Sequence, residues 1–343
     1  MTADPILTLA WLILAHLVAD FVLQTSGVVA AKTARDGRAW RGFLGHGAGV
    51  AVCLVPVALA FGGRGIAALV VIVVSHLVID QVKIVATRRS ETAALAESRR
   101  RHEGAAPAAG LGRAWTPLPA AWFVLDQLAH LAVIALVWAV WLAGTAPTAS
   151  WTVEVATLTG GWDQRLVHEI VLVAVVVVAL LIANVRGGAI FVATLVRPLE
   201  VGDELVGRDI ATTDAGAVAD RVPTPTPGRG WSIRLGPLSG RVVADPAPAA
   251  SVVDNTEILA ERVVLPPPAR VGATIGVLER LLIVTFVLVG AEAAIGFVVA
   301  AKTIARFRQL DDRDFAEYYL LGTLASVSVA IVTGLVARAA LSA

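Results

Sequence analysis

Three histidine–aspartate pairs, each with a spacing of four residues, lie in the N-terminal part of the chain. They are His16–Asp20, His76–Asp80 and, in reversed order, Asp126–His130. A separation of four residues places both side chains of a pair on one face of a helix. Imidazole and carboxylate groups together bind divalent transition metals, and they also relay protons. The spacing therefore predicts either a metal site or a proton relay.

Each pair lies in an apolar run that is long enough to cross a bilayer. The chain of 343 residues is 57% hydrophobic, and its mean hydropathy is +0.76. A soluble domain is about 45–50% apolar, so we expect an integral membrane protein. Ionisable groups inside spanning helices are costly, and they usually face the bundle interior or a water-filled cavity. The pairs are therefore candidates for a functional site.

About seven spans are predicted, because a spanning helix needs about 20 mostly apolar residues. The candidates are 5–24, 43–61, 66–86, 119–142, 166–184, 272–300 and 317–340. The expected fold class is all-α, a polytopic transmembrane helix bundle. Segment 272–300 contains Glu279, Arg280 and Glu292, so a tilted or re-entrant helix is an alternative there. Residues 188–198 are a candidate half-helix.

Four parts are expected along the chain. They are a four-helix core that carries the His/Asp motifs (1–142), a fifth helix with the half-helix (143–198), a polar insert rich in proline and glycine (199–270), and C-terminal membrane helices (271–343). The prolines exclude the insert from spanning the membrane. The alternation of Trp231, Ile233 and Leu235 permits a strand or hairpin within it.

Arginine and lysine concentrate in two loops, 25–42 and 87–118, which the positive-inside tendency places on the cytoplasmic side. Helices one and three then run inward and helix four runs outward, so the reversed third pair has the same vertical arrangement as the other two. The three paired histidines share one layer, and the three aspartates share another, about 6 Å nearer the cytoplasm. His46, near the start of helix two, joins the aspartate layer.

The expected metal ligands come from three of these helices and hold a divalent ion such as Zn, Mn or Fe. They are His16, Asp20, His46, His76 and Asp80. Asp126 and His130 are expected to be catalytic, as a ligand or as a general base. The set has enough ligands for two metals. Alternatively, each aspartate orients its histidine through a hydrogen bond.

Gln24, Lys32 and Lys83 are expected at the mouth of this site. Gln24 continues the face of Asp20 to the membrane boundary, although ending the helix is an equal interpretation. Lys32 and Lys83 are candidates for holding an anionic group such as phosphate. The alternative is that their ammonium groups extend to lipid headgroups.

The same residues carry a family resemblance. The motif is His16-x3-Asp20-x3-Gln24, Lys32, His46, His76-x3-Asp80-x2-Lys83. Over about residues 6–140 it resembles a bacterial integral membrane family catalogued as domain of unknown function 3307, whose name implies no established activity. A later stretch that contains Glu279, Arg280 and Lys302 is similar to the C-terminal part of longer members. More loosely, the His/Asp helices look like proteins labelled membrane-bound metal-dependent hydrolases.

We expect a metal-dependent hydrolase in the bacterial cytoplasmic (inner) membrane, with a lipid-like ester or phosphoester entering from the inner leaflet. One alternative is a proton- or ion-coupled transporter, which needs polar positions that continue to the outer side, and the sequence has few. The other is a non-catalytic membrane scaffold. The net charge of +1 gives no indication of nucleic-acid binding, and the lone Cys53 excludes a disulfide framework. The oligomeric state stays open.

Overall fold

Helices form most of the described part of the chain. The computed structural model describes residues 5–34, 37, 39–102, 113–160, 162–197, 199–200, 230–235, 238–243 and 268–342. The α-helices in these ranges are α1 (Pro5–Val18), α2 (Ser26–Thr33), α3 (Ala39–Phe61), α4 (Gly63–His102), α5 (Leu118–Val137), α6 (Ala149–Thr159), α7 (Gln164–Ile182), α8 (Gly188–Val196), α9 (Pro268–Leu288), α10 (Ala294–Ala305) and α11 (Arg313–Ser342).

Short irregular turns and strands complete these elements. Five-residue π-helical turns extend α1 (Ala19–Leu23) and α5 (Trp138–Leu142) and join α7 to α8 (Ala183–Gly187), and a 3-10 turn follows α10 (Phe307–Gln309). Strand β1 (Arg113–Ala114) pairs antiparallel with β2 (Leu199–Glu200). Strands β3 (Gly230–Leu235) and β4 (Leu238–Val243) form an antiparallel hairpin where the sequence alternation permitted one. The predicted insert also includes β2 and the first residues of α9, and its remaining residues, 201–229, 236–237 and 244–267, lie outside the described residues.

Six helical segments among the described residues are long and apolar enough to cross a membrane. They are Pro5–Leu23, Ala39–Phe61, Gly63–Ser98, Leu118–Leu142, Gln164–Val196 and Phe315–Ser342. Helix α9 has 21 residues and packs along α11. The predicted all-α helical bundle is confirmed, and the chain is a multi-pass membrane protein.

Three predicted boundaries differ from the structure. The fifth span and its half-helix form one continuous segment, Gln164–Val196, because the π-helical turn carries the chain from α7 into α8. Helix α4 continues to His102, well past the predicted end at residue 86. The single helix predicted over 272–300 is two helices. Gly290 has φ +74°, a left-handed conformation that glycine adopts at no steric cost, and it separates α9 from α10.

The N-terminal bundle is built from α1, α3, α4 and α5 around an apolar core. Helix α4 packs between α3 and α5, and α1 contacts both α3 and α5. The buried core side chains include Leu12, Val50, Leu54, Ile72 and Ile134. Hydrophobic burial of this kind fixes the rotation of each helix, and it therefore determines which polar side chains face inward.

Helix α2 lies directly on α3, and Gly42 makes this contact possible. A Cβ atom at Gly42 would overlap the backbone of Ala31 and Lys32. A glycine in α3 thus lets the two backbones approach and carries Lys32 to the bundle interior, where its side chain is buried. A second bundle forms from α7, α8, α9 and α11, and its core includes Val176, Ile283 and Ala330. Helix α1 packs on α7 and joins the two bundles.

Candidate metal centre

The side chains of four helices meet in the interior of the N-terminal bundle. Each predicted histidine and aspartate is buried there, with at most 7% of its side chain exposed. The group consists of His16 and Asp20 from α1 and its π-helical turn, His46 from α3, His76 and Asp80 from α4, and Asp126 and His130 from α5. Seven ionisable side chains in one buried volume are costly unless they bind a partner or one another.

Three ligand atoms converge most tightly on one point. His46 Nε2 and His76 Nε2 lie 2.8 Å apart, and Asp20 Oδ1 lies 3.0 Å from the second and 3.4 Å from the first. Ligand atoms that share one ion at about 2.1 Å lie about 3.0–3.4 Å apart in octahedral or tetrahedral geometry. The two separations that involve Asp20 match the edges of a coordination polyhedron, and the separation of 2.8 Å between the imidazole nitrogens is slightly shorter than such an edge. The donor set fits a divalent metal ion.

Hydrogen bonding alone does not satisfy these atoms. A proton shared between His46 and His76 would join their nitrogens, but the buried Asp20 Oδ1 accepts no hydrogen bond among the described residues, although His76 Nε2 lies 3.0 Å from it. A buried carboxylate oxygen without a donor loses the solvation it has in water. A bound cation would supply what this oxygen lacks.

Asp80 lies beside this group but is already engaged by a lysine. Its Oδ2 is 3.3 Å from His46 Nε2 and 3.9 Å from His76 Nε2. The same oxygen forms a buried ion pair with the ammonium of Lys32, which also donates to Gln24 Oε1 at 3.4 Å. Asp80 is thus within reach of the same centre, and Lys32 offsets its charge.

A second set of ligand atoms adjoins the first. The rings of His76 and His130 have centroids 4.1 Å apart, and those of His16 and His130 stack at 4.8 Å. Groups of atoms within 4.8 Å of one another, close enough to share a metal ion, occur for His16, His76 and His130 and again for Asp20, Asp126 and His130. Together with the group of Asp20, His46 and His76 there are three groups among the described residues. Asp20, His76 and His130 each belong to two of them, so the candidate ion positions share ligands.

The structure adds a residue that sequence reasoning missed. Gln127 Nε2 donates to Asp20 Oδ2 at 3.3 Å and to Asp126 Oδ2 at 3.1 Å, and His16 Nε2 lies 3.2 Å from Gln127 Oε1. One amide therefore orients two carboxylates and one imidazole. A glutamine beside an aspartate in a spanning helix is an expensive polar pair, and that cost was the signal available in the sequence.

The two lysines predicted to hold an anion contact carboxylates instead in this structure. Lys83 donates to Asp126 Oδ2 at 2.9 Å and lies 5.0 Å from the centre of the Phe123 ring, with 28% of its side chain exposed. Lys32 is buried against Asp80. Lys83 is thus the more accessible of the two ammonium groups.

A π-helical turn places Asp20. The turn Ala19–Leu23 widens the end of α1, and such turns often occur at functional sites. The carbonyl of Phe21 accepts a hydrogen bond from Arg186 Nε at 3.3 Å, and the Phe21 ring lies against Gly187. The second bundle therefore supports the turn that carries Asp20.

An apolar layer closes the far side of the cluster. Leu12, Ile72 and Ile134 each lie one helical turn beyond a histidine of the cluster, and each is at most 4% exposed. Leu54 lies two turns beyond His46 and is also buried. The polar volume thus ends at the histidine layer within this part of the bundle.

One family model matches the N-terminal part of the chain. Residues 8–159 match the model of a family described as Protein of unknown function (DUF3307). The match covers α1 to α6 and contains every residue of the His/Asp cluster, so the resemblance to that family is confirmed over this range. No curated protein and no solved structure matches the chain. The looser likeness to metal-dependent hydrolases has no support among these comparisons.

Proposed function

We propose that the His/Asp cluster binds a divalent metal ion and that the protein is a metal-dependent hydrolase in a bacterial cytoplasmic membrane, acting on a lipid-like ester or phosphoester. One observation carries the proposal, namely the convergence of Asp20 Oδ1, His46 Nε2 and His76 Nε2 within 3.4 Å of one another. Three protein ligands with a remaining open position are typical of catalytic sites, whereas structural zinc sites use four.

The surrounding residues suit hydrolysis. A divalent ion held at this point would polarise an ester or phosphoryl oxygen and activate a water molecule. Asp126 and His130 lie in the adjoining group, where they would act as a ligand or as the general base. Both carry a buried atom without a hydrogen-bond partner among the described residues, Asp126 Oδ1 and His130 Nδ1.

Of the two lysines, Lys83 would bind the anionic part of the substrate. Lys83 is partly exposed and pairs with Asp126, so an incoming phosphate could compete with that carboxylate for the ammonium. Lys32 is buried behind Asp80 and would mainly balance charge. Gln24 accepts from Lys32 and would hold the ammonium in place.

Transport is disfavoured by the apolar layer. A carrier needs a polar route that opens to both sides, and the side chains one turn beyond the cluster are Leu12, Ile72 and Ile134. A purely structural role is disfavoured because unpaired buried atoms of four metal-ligating residues lie in one cluster, whereas polar groups that only lock helices together mostly hydrogen-bond one another.

The test is metal-dependent turnover by the full-length protein in lipid nanodiscs. The protein is stripped with a chelator, reloaded with Zn²⁺, Mn²⁺ or Fe²⁺, and assayed on chromogenic lipid analogues with a carboxylic ester or a phosphodiester. We expect hydrolysis only when metal is present, and we expect the His76→Gln variant to lose it. The matched control His168→Gln, on α7 away from the cluster, should retain hydrolysis. Metal-dependent proton or solute flux in proteoliposomes without hydrolysis would overturn the proposal in favour of a transporter.

A further inference from the structure

We infer that a second metal position adjoins the first, held by Asp126 and His130 together with a shared Asp20, so that the centre is dinuclear. The inference rests on the proposed metal site and extends it to a set of atoms that the first ion does not use. Two buried atoms carry it, Asp126 Oδ1 and His130 Nδ1, because each has a lone pair and no hydrogen-bond partner among the described residues, and both residues form a group with Asp20 whose ligand atoms lie within 4.8 Å of one another. His16 Nδ1 is likewise unpaired, and His16 forms an adjoining group with His76 and His130.

The tautomer of His130 is set by a backbone carbonyl. His130 Nε2 lies 3.4 Å from the carbonyl oxygen of His76, which can only accept, so Nε2 carries the proton. In the neutral ring, Nδ1 then has a free lone pair. A histidine that donates one N–H to a carbonyl and directs its other nitrogen inward has the usual arrangement of a metal ligand.

The tautomer of His16 follows from Gln127. The amide nitrogen of Gln127 must face the carboxylates of Asp20 and Asp126, because carboxylates only accept, and its oxygen therefore faces His16 Nε2. His16 Nε2 consequently donates, and the lone pair lies on Nδ1. Gln127 thus sets the tautomer of His16. It also donates to Asp126 Oδ2, so the other carboxylate oxygen, Asp126 Oδ1, remains without a partner among the described residues and lies 3.8 Å from His130 Nδ1.

Asp20 connects the two positions. Its Oδ1 belongs to the group with His46 and His76, and the residue also belongs to the group with Asp126 and His130. Carboxylates with two oxygens commonly bridge paired ions, which lie about 3.5–4 Å apart in two-metal hydrolytic sites. A shared Asp20 and adjoining histidines are what such a pair requires.

The charges of the cluster favour an anionic ligand when two ions are bound. The three aspartates and two lysines leave one net negative charge with neutral histidines, so two divalent ions produce a positive centre. A positive centre in a bilayer needs an anion. We therefore expect the second ion to bind more weakly than the first and to bind more tightly when phosphate is present.

The test counts metal ions in the full-length protein after reloading with Mn²⁺ alone and with Mn²⁺ plus inorganic phosphate. Manganese per chain is measured by mass spectrometry, and spin coupling is measured by electron paramagnetic resonance. We expect two ions per chain and a coupled signal in the native protein, and one uncoupled ion in both His130→Gln and Asp126→Asn. The control His168→Gln is expected to retain two. Phosphate should lower the Mn²⁺ concentration needed for the second ion.

The outcomes separate the two proposals. One uncoupled ion in the native protein would overturn the dinuclear centre and leave the proposed hydrolase standing. If the native protein binds no manganese, zinc or iron in this experiment, both the dinuclear centre and the proposed hydrolase are overturned. If both variants, His130→Gln and Asp126→Asn, still bind two ions, the second ion is not held by these residues and its placement is wrong. The native spectrum needs no variant, so the inference remains testable even if a substitution prevents folding.

Discussion

The two bundles of this protein bury polar side chains in opposite ways. In the N-terminal bundle, His16, Asp20, Asp126 and His130 each have a buried atom without a hydrogen-bond partner among the described residues. In the second bundle, the buried Arg280 donates to the carbonyl of Asn184 at 2.7 Å and to Ser326 Oγ at 3.1 Å. The first arrangement leaves lone pairs free for a cation, whereas the second uses its donors to join helices.

Other polar contacts of the second bundle follow the same rule. Asn184 Nδ2 donates to Thr333 Oγ1 at 3.0 Å, and Lys302 pairs with Glu279 at 2.5 Å. Such contacts between helices stabilise a membrane bundle by about 0.6 kcal/mol each on average. The comparison shows that burial of ionisable residues is not by itself evidence of a site. Asn184 Oδ1 in the second bundle also lacks a partner among the described residues, but it is a lone amide oxygen beside contacts that join helices. The unpaired acceptors of the N-terminal bundle are instead imidazole and carboxylate atoms gathered in one cluster.

The largest effect is expected from Asp20→Asn, because Asp20 belongs to both candidate ion positions. The substitution removes the charge and keeps the size, so bound metal should fall to background while the fold persists. Metal per chain and the thermal unfolding temperature in detergent measure the two effects. If Asp20→Asn retained all of its metal, the unpaired acceptors of the N-terminal bundle would not be the metal ligands, and this difference from the second bundle would have no functional meaning.

Gln127→Leu should weaken metal binding without abolishing it. Gln127 does not provide a ligand atom in this account but orients His16, Asp20 and Asp126, and loss of such support lowers metal affinity about 10–100-fold. The dissociation constant is measured by competition with a chromophoric chelator. Gln309→Leu, on the exposed turn after α10, is the matched control and should leave it unchanged. An unaltered affinity in Gln127→Leu would show that the amide has no positioning role.

Arg280→Met should show the reverse pattern. It removes two buried hydrogen bonds between helices, so the free energy of unfolding should fall by about 1–3 kcal/mol. Metal content per folded chain should stay the same. Denaturant titration in mixed micelles gives the first quantity and mass spectrometry the second. Loss of metal without loss of stability would mean that the second bundle takes part in the site.

The smallest effect is expected at the exposed pair of Arg338 and Glu292. Both side chains are about half exposed and lie 2.8 Å apart, and such pairs contribute about 0–1 kcal/mol. Arg338→Gln should therefore alter neither unfolding nor metal content beyond that range. A larger destabilisation, measured beside Arg280→Met, would show that exposed charges also hold the second bundle together.

Much of the cluster could be predicted from the sequence because helix periodicity and alternating direction determine which residues share a face. The pairs at 16–20, 76–80 and 126–130 needed only these two rules. Gln127 could not be assigned in this way, since its contacts run between α5 and α1 and depend on how those helices rotate. The burial of Lys32 depends on the close approach at Gly42, which is a property of packing and not of local pattern.

The limits of the fold prediction have similar causes. The break between α9 and α10 occurs inside an apolar run, where Gly290 is one small residue among several. The π-helical turn at Ala183–Gly187 continues the helix past Asn184 and Arg186, since both find partners in neighbouring helices. Tertiary contacts decide both outcomes.

X-ray absorption spectroscopy of full-length protein purified without added metal tests whether the N-terminal cluster is a metal centre. We expect a metal edge with a first shell of nitrogen and oxygen at about 2.0–2.2 Å and the multiple scattering of imidazole. His76→Gln should reduce the imidazole contribution, and His168→Gln should not. Absence of an edge above buffer background, or a shell without imidazole, would contradict the assignment of the N-terminal cluster as a metal centre.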